Sequence, residues 1–301
     1  MNIFIENVDN RSSSGPNHFA KKIRKYLSFR GCHFSDKIVA FDKKLTFIQT
    51  FNIRNDLPMC LRLDGIYFNA GFDCDVMNSN IKRSYDMAKG VIFQTNFNKE
   101  LIFKWFGPHD NYTVINNGAD TLEIKDMSVT ENIHSKFSNY DNVWSCAAHW
   151  HSFKRLKDNI DYFLKFSGPN DCLVVAGPDP DHIVQDPRIH YVGNLSIQDL
   201  FSLYKISKYF IHLAYLDHCP NVVIDARSCG ARIICSSSGG TKEIAGKGAI
   251  VIQEPEWDYS FIKETVPPPI SFDNIISCGI ESDISMTKVA KKYHKFLLGV
   301  K

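Results

Sequence analysis

A chain of 301 residues, 44% hydrophobic and 23% charged, has ordinary globular composition, which excludes a disordered tail, a coiled coil and a mini-protein. At this length folding buries roughly three quarters of the surface that the unfolded chain exposes, so no disulfide or metal staple is needed for stability. Lysine and arginine number 35 against 33 acids, leaving no basic surplus for a nucleic-acid partner.

Nine cysteines, at 32, 60, 74, 146, 172, 219, 229, 235 and 278, form no C-x-x-C pair and fit neither a disulfide framework nor a zinc site. Reduced thiols in a cytosol-like compartment are the expectation. There is no run of 18 apolar residues, and Glu6 arrives too early for a signal-peptide core. The protein is expected to be soluble and cytoplasmic.

Strands are expected at 3–5, 38–41, 46–49, 59–63, 91–94 and 113–116, with helices at 17–30, 80–88 and 96–106 between them. A weakly patterned polar stretch, 125–141, leads to a second set: strands at 143–147, 173–176, 190–192, 209–213, 232–235 and 249–252, and helices at 154–166, 196–207, 220–229 and 283–297. This alternation points to an α/β protein with two doubly wound domains and a ligand cleft facing the carboxyl ends of the strands. One charge anomaly stands out. Arg11, Lys21, Lys22, Arg24, Lys25 and Arg30 follow one another with no acid between Asp9 and Asp36. On the helical wheel Phe19, Ile23, Tyr26 and Leu27 share one face, and Lys21, Arg24 and Lys25 lie opposite. That face is either plainly solvated or a dock for anionic lipid or an acidic acceptor.

The densest cluster of chemistry runs from Leu213 to Gly240. A strand leads into Asp217, His218, Cys219 and Pro220, and a helix opens at Asn221 and Val222, whose N–H groups suit a phosphate. Asp225, one turn on, has the reach to accept from sugar hydroxyls, although an acid near a helix start also describes a capped surface helix. Asp73-Cys74-Asp75 has the D-x-D form of a carboxylate metal site, but Phe68 to Phe72 makes a poor apolar strand to carry it. His149 and His151 read as core or loop histidines rather than ligands.

The order of these segments resembles the family-4 glycosyltransferases, retaining nucleotide-sugar enzymes of the GT-B fold, over nearly the whole chain. That family carries two glutamates separated by seven residues, a glycine stop, a strand, a Gly-Gly turn and a later glutamate. Here Asp217 and Asp225 stand at that spacing, followed by Gly230, Gly239-Gly240 and Glu243. The resemblance implies that Asp225 binds the donor ribose and Asp217 a hydroxyl of its sugar. Upstream, Ser145 to Leu156 is similar to the family segment whose arginine and, five residues later, lysine grip the donor diphosphate. Lys154 fills the lysine position; His149 stands in the arginine position, so either Arg155 substitutes or phosphate binding is weaker.

Ser13-Ser14-Gly15-Pro16-Asn17 resembles the family's glycine loop beside the donor phosphates, and Asn117-Gly118-Ala119-Asp120 closely matches the close of its first domain. Asp64 lies where members often place a histidine near the reacting sugar, and is either a sugar ligand or a turn-capping residue.

The resemblance implies an acceptor-side Rossmann-like domain at 1–135, a donor domain at 136–282, and a helix at 283–301 returning to the first. It implies sugar transfer from a nucleotide-diphosphate sugar to a glycan, lipid or other acceptor, with no metal or further cofactor. Lys154, Arg155, the Gly15 loop and the start of the Asn221 helix would offset the leaving diphosphate. Residues 21–30 are the expected peripheral membrane contact. A sugar-nucleotide 2-epimerase and a degenerate binding protein of the same fold are the alternatives.

Overall fold

The computed structural model describes residues 1–12, 14–35, 41–52, 57–277 and 280–301, in two compact units. The first unit comprises 1–119, 258–265 and 283–301; the second comprises 120–257 and 266–282.

In chain order the first unit holds β1 (Asn2–Glu6), α1 (Gly15–Ser28), β2 (His33–Ser35), β3 (Lys43–Phe47), β4 (Met59–Leu63), α2 (Cys74–Met87), β5 (Gly90–Phe93), α3 (Asn96–Phe106) and β6 (Tyr112–Val114). Its six strands pair in parallel in the order β2-β1-β3-β4-β5-β6. Strands covered by helices on both faces read as continuous apolar runs, and all five residues of β4 are buried.

The second unit follows with α4 (Thr121–Asp126), α5 (Glu131–Phe137), β7 (Asn142–Ala147), α6 (Leu156–Phe166), β8 (Asp171–Ala176), β9 (Ile189–Gly193), α7 (Ile197–Ile206), β10 (Ser207–His212), α8 (Asn221–Ser228), β11 (Arg232–Ser236), α9 (Thr241–Ile244), β12 (Ile250–Ile252) and β13 (Ile275–Ser277). The sheet order is β13-β12-β11-β10-β7-β8-β9, with only β13 antiparallel among the described strands. The chain starts this sheet at β7, builds outward through β8 and β9, then returns to build the other half from β10. The order therefore reverses between β7 and β10, and at such a reversal the loops at the carboxyl ends part to leave a crevice.

The last helix, α10 (Met286–Gly299), belongs to the first unit. Val289, Tyr293 and Leu297 pack with Phe19, Ile23 and Leu27 of α1 in one core. A side chain at Gly90 on β5 would strike Val300 and Phe296, so this glycine lets the end of α10 sit against the sheet.

Several elements depart from the sequence reading. The polar stretch 125–141 contains the end of α4 and all of α5. Each shows too few turns for a 3.6-residue period to be read, yet Ile124, Ile133 and Phe137 are buried. The Thr130 hydroxyl donates to Asp199 at 2.6 Å and its N–H to Ser202 at 3.0 Å, so the second unit begins at Asp120 rather than at 136. Second, α2 starts at Cys74 instead of 80, because Asp73 caps it by accepting from the Val76 N–H at 3.1 Å. Asp73 is thus a helix cap rather than half of a metal site. Third, β2 lies at 33–35; of the strand expected at 38–41, residues 38–40 lie outside the described residues, as does Ser13. No helix among the described residues is long and apolar enough to cross a membrane.

Candidate active site

Lys154 and Asp217 meet at the reversal point of the second sheet. β7 ends at Ala147, and the chain then makes a 3-10 turn over Ser152–Lys154 before α6. Two contacts fix this loop. Trp150 Nε1 donates to the Ala176 carbonyl at 3.0 Å, and the Ala148 carbonyl lies so close to Gly177 that a Cβ there would sit 1.9 Å from it. Gly177 also has φ +114°, so only glycine fits that strand end.

The loop after β10 runs alongside. The Tyr215 N–H donates to the Phe153 carbonyl at 2.8 Å, joining the two loops, and the Lys154 ammonium reaches Asp217 Oδ2 at 2.5 Å. A third loop, after β11, closes from the other side. Gly240 N–H donates to the Asp217 carbonyl at 2.8 Å, and a Cβ on Gly239 would fall 2.6 Å from that same oxygen. The Gly239-Gly240 pair therefore acts by letting backbone press on backbone and hold Asp217 in place. His212 Nε2, 3.1 Å from Asp217 Oδ2, completes the cluster.

The electrostatics follow from burial and pairing. Burial pushes the Asp217 carboxyl up, but the Lys154 charge and the His212 hydrogen bond outweigh it and hold the group well below the usual carboxylate range. Burial pushes neighbouring His218 down to about 4, helped by Lys154 and opposed by Asp217, so that ring is neutral at pH 7. Lys154 keeps 24% of its side chain exposed and Asp217 16%. The result is an ionised, solvent-touching pair able to open toward a ligand.

Beside it α8 begins at Asn221, and Pro220 at its N-cap supplies no side-chain acceptor. The Val222 N–H lies in that first turn, where helix N–H groups favour an anion. Asp225 sits one turn further along the same helix and is 6% exposed.

Arg155 is a correction. Instead of facing a phosphate it turns inward, with 1% of its side chain exposed. It forms a two-pronged pair with Glu254, both contacts at 2.8 Å, and donates to the Pro268 carbonyl at 2.7 Å. Its guanidinium also lies 4.9 Å from the Tyr215 ring centroid, and its backbone is left-handed, φ 52°. That turn is what separates two adjacent cations, sending Lys154 to Asp217 and Arg155 into the core. His149 is exposed.

In the first unit Asp64 follows β4. It pairs with Arg62 and accepts from Gln94 Nε2 at 2.6 Å, while its Oδ2 is buried without a hydrogen-bond partner. Arg62 is buried between the rings of Phe19 and Phe47, with centroids 4.3 and 5.0 Å away, and donates to Tyr293 and Asn117. Asp64 is thus held by side chains and is no simple turn cap. Gly15 opens α1, behind Ser14, whose hydroxyl accepts from Asn17 at 2.9 Å. The sequence reading passed over His212, Glu254, Arg62 and Gln94. Only Arg62 left a signal, as a cation inside an otherwise apolar strand, which must find partners on burial.

The Glycosyl transferases group 1 family model matches residues 151–260, the stretch holding Lys154, Asp217, Asp225 and Gly239. Among solved structures the chain is similar to sucrose-phosphate synthase from Thermosynechococcus elongatus, at 14% identity over 85% of this chain and 86% of that one, TM-score 0.64. It is similar to Anabaena HepE in complex with UDP and glucose, at 13% identity over 85% and 86%, TM-score 0.60. WaaG, a glycosyltransferase involved in lipopolysaccharide biosynthesis, aligns at 11% identity over 99% of this chain and 90% of that one, TM-score 0.59. No curated protein matches the sequence. The family match across the Lys154–Asp217 site and the likeness of fold over most of the chain make this protein a glycosyltransferase of the GT-B fold.

Proposed function

We propose that the second unit binds a nucleotide-diphosphate sugar and that the chain transfers the sugar, with retention and without a metal, to a glycan, lipid or other acceptor. One observation carries the reading: an accessible lysine–aspartate pair at the sheet's reversal point, beside the start of α8, where Pro220 supplies no side-chain cap. The HepE structures, which hold UDP with glucose or UDP-glucose, support a nucleotide donor. In this reading Lys154 and the Val222 N–H take the charge developing on the leaving diphosphate. Asp217, ionised, accepts from a sugar hydroxyl, and Asp225 from the ribose.

A panel of nucleotide sugars tests it. The correct donor at 100 times its Kd should stabilise the fold by about 2.7 kcal/mol, visible as a raised Tm. Asp225→Ala should weaken that binding most directly, measured by calorimetry; unaltered affinity would remove Asp225 from the ribose site. Donor consumed with no acceptor, and a new epimer appearing, would instead mark an epimerase. A panel with no stabilising member would mark a binding protein.

We assign the approach of an anionic lipid surface, the carrier of a lipid-linked acceptor, to α1 and α10. Neither helix contains an acid. Lys21, Lys25 and Arg30 are exposed at the first, and Lys291, Lys292 and Lys295 on the second; Lys22, expected among the cations of this stretch, is buried. Phe29 and Leu298 add exposed apolar surface, 69% and 58%. Each such lysine contributes about 1 kcal/mol at an anionic membrane. The chain should therefore sediment with phosphatidylglycerol vesicles at low salt, and Lys25→Glu/Lys291→Glu should remain in the supernatant. Equal sedimentation of that variant would refute the assignment.

A further inference from the structure

Asp217 Oδ2 has a second partner besides Lys154. His212, the last residue of β10, is buried, and its Nε2 lies 3.1 Å from the oxygen that also takes the ammonium. An ionised carboxylate only accepts, so Nε2 carries the hydrogen and the ring is assigned that tautomer. The imidazole stacks with Phe210, two residues earlier on the same strand face, with centroids 6.4 Å apart and planes 14° apart, which fixes its plane.

The two partners are not equivalent. Lys154 sits at the end of a flexible stem with part of its surface in water, whereas His212 sits in the sheet. A donor diphosphate competes with Asp217 for the ammonium. Once Lys154 turns to the phosphate, Asp217 is a mostly buried carboxylate without its cation, and burial favours its protonated form. The other titratable groups facing it are His218 and His151, and burial favours the neutral form of both. The His212 N–H stays on Oδ2.

We propose that His212 is a positioning residue that keeps Asp217 ionised and aimed while Lys154 is engaged by the donor, an inference that rests on the donor reading above. His212 does not touch the sugar in this scheme. It acts through Asp217, so its loss should harm turnover more than donor affinity.

Two measurements decide it. Carbon-13 labelling of aspartate carboxyls follows the Asp217 titration with no substrate present. In Lys154→Ala, which imitates withdrawal of the cation, Asp217 should still ionise readily. In Lys154→Ala/His212→Leu it should bind its proton about 10-fold more tightly, the scale of a lost hydrogen bond to a charge, and Lys154→Ala/His212→Gln, which restores an N–H donor, should move back. Identical midpoints in the three proteins would overturn the proposal.

Kinetics form the second arm. His212→Leu alone should lower kcat about 10-fold with donor KM nearly unchanged, and should move the acid limb of the kcat profile to higher pH; His212→Gln should recover both. An unmoved acid limb in a folded His212→Leu enzyme would also overturn it. If the wild type turns over no nucleotide sugar, the donor reading fails, and the titration alone decides whether His212 holds Asp217 ionised.

Discussion

Lys154→Ala is expected to lower kcat for sugar transfer on the order of 10²-fold or more, the scale seen when one preorganised donor to a developing oxyanion is removed. The reasoning is local. The side chain projects from a 3-10 turn whose backbone is held by Trp150, Gly177 and the Tyr215 N–H, so its point of attachment is set before a ligand arrives, and 24% of it already meets solvent. In the proposed transfer negative charge builds up on the diphosphate as the sugar bond breaks, and an ammonium there is worth more than in the ground state.

The same substitution changes Asp217. Its carboxyl is held below the usual range against burial chiefly by Lys154. A depressed folded value means that the ionised form contributes stability above the unfolded value of about 3.9, lost as pH falls through the folded value. Without Lys154 the folded value rises toward the unfolded one, so Lys154→Ala should be less stable than the wild type at neutral pH and lose less of its stability to acid below about pH 3.9. Transfer assays and acid melts measure the two effects. Unchanged turnover would remove Lys154 from the catalytic step.

Much of this was readable from the sequence because it depended on local pattern. Leu173 to Ala176 is an uninterrupted apolar run and Val143 to Ala147 is broken only by Ser145, and the spacing of Asp217, Asp225 and Gly239-Gly240 is set within one strand-helix-strand unit. What escaped depended on directions and on distant partners. Lys154 and Arg155 are neighbours of like charge in the sequence, and nothing there shows that a left-handed turn sends them apart. Glu254, the partner that claims Arg155, lies 99 residues away. His212 read as one more strand residue, since the strand pattern does not say that its ring ends beside Asp217. Likewise α4 and α5 hide because their apolar residues come one or two to a short helix and become a pattern only when packed.

The buried guanidinium gives the sharpest test of that division of labour. Arg155→Met keeps an unbranched stem in the left-handed turn but strands Glu254, whose side chain is 4% exposed, with the Ser236 hydroxyl and no cation. Breaking one side of a buried pair costs about 3–5 kcal/mol, so Tm should fall by roughly 10 °C. Arg155→Met/Glu254→Gln removes the stranded charge while leaving Ser236 an acceptor, and should recover a large part of the loss, a coupling that a double-mutant cycle reads directly. Donor affinity separates this role from the one expected from sequence. Below its melting transition Arg155→Met should bind the nucleotide sugar nearly as tightly as the wild type, because Arg155 faces Glu254 and the Pro268 carbonyl rather than the phosphates, whereas Lys154→Ala should not. Calorimetry that found the two variants equally weakened would return Arg155 to the diphosphate and require the Arg155–Glu254 pair to open when the donor binds.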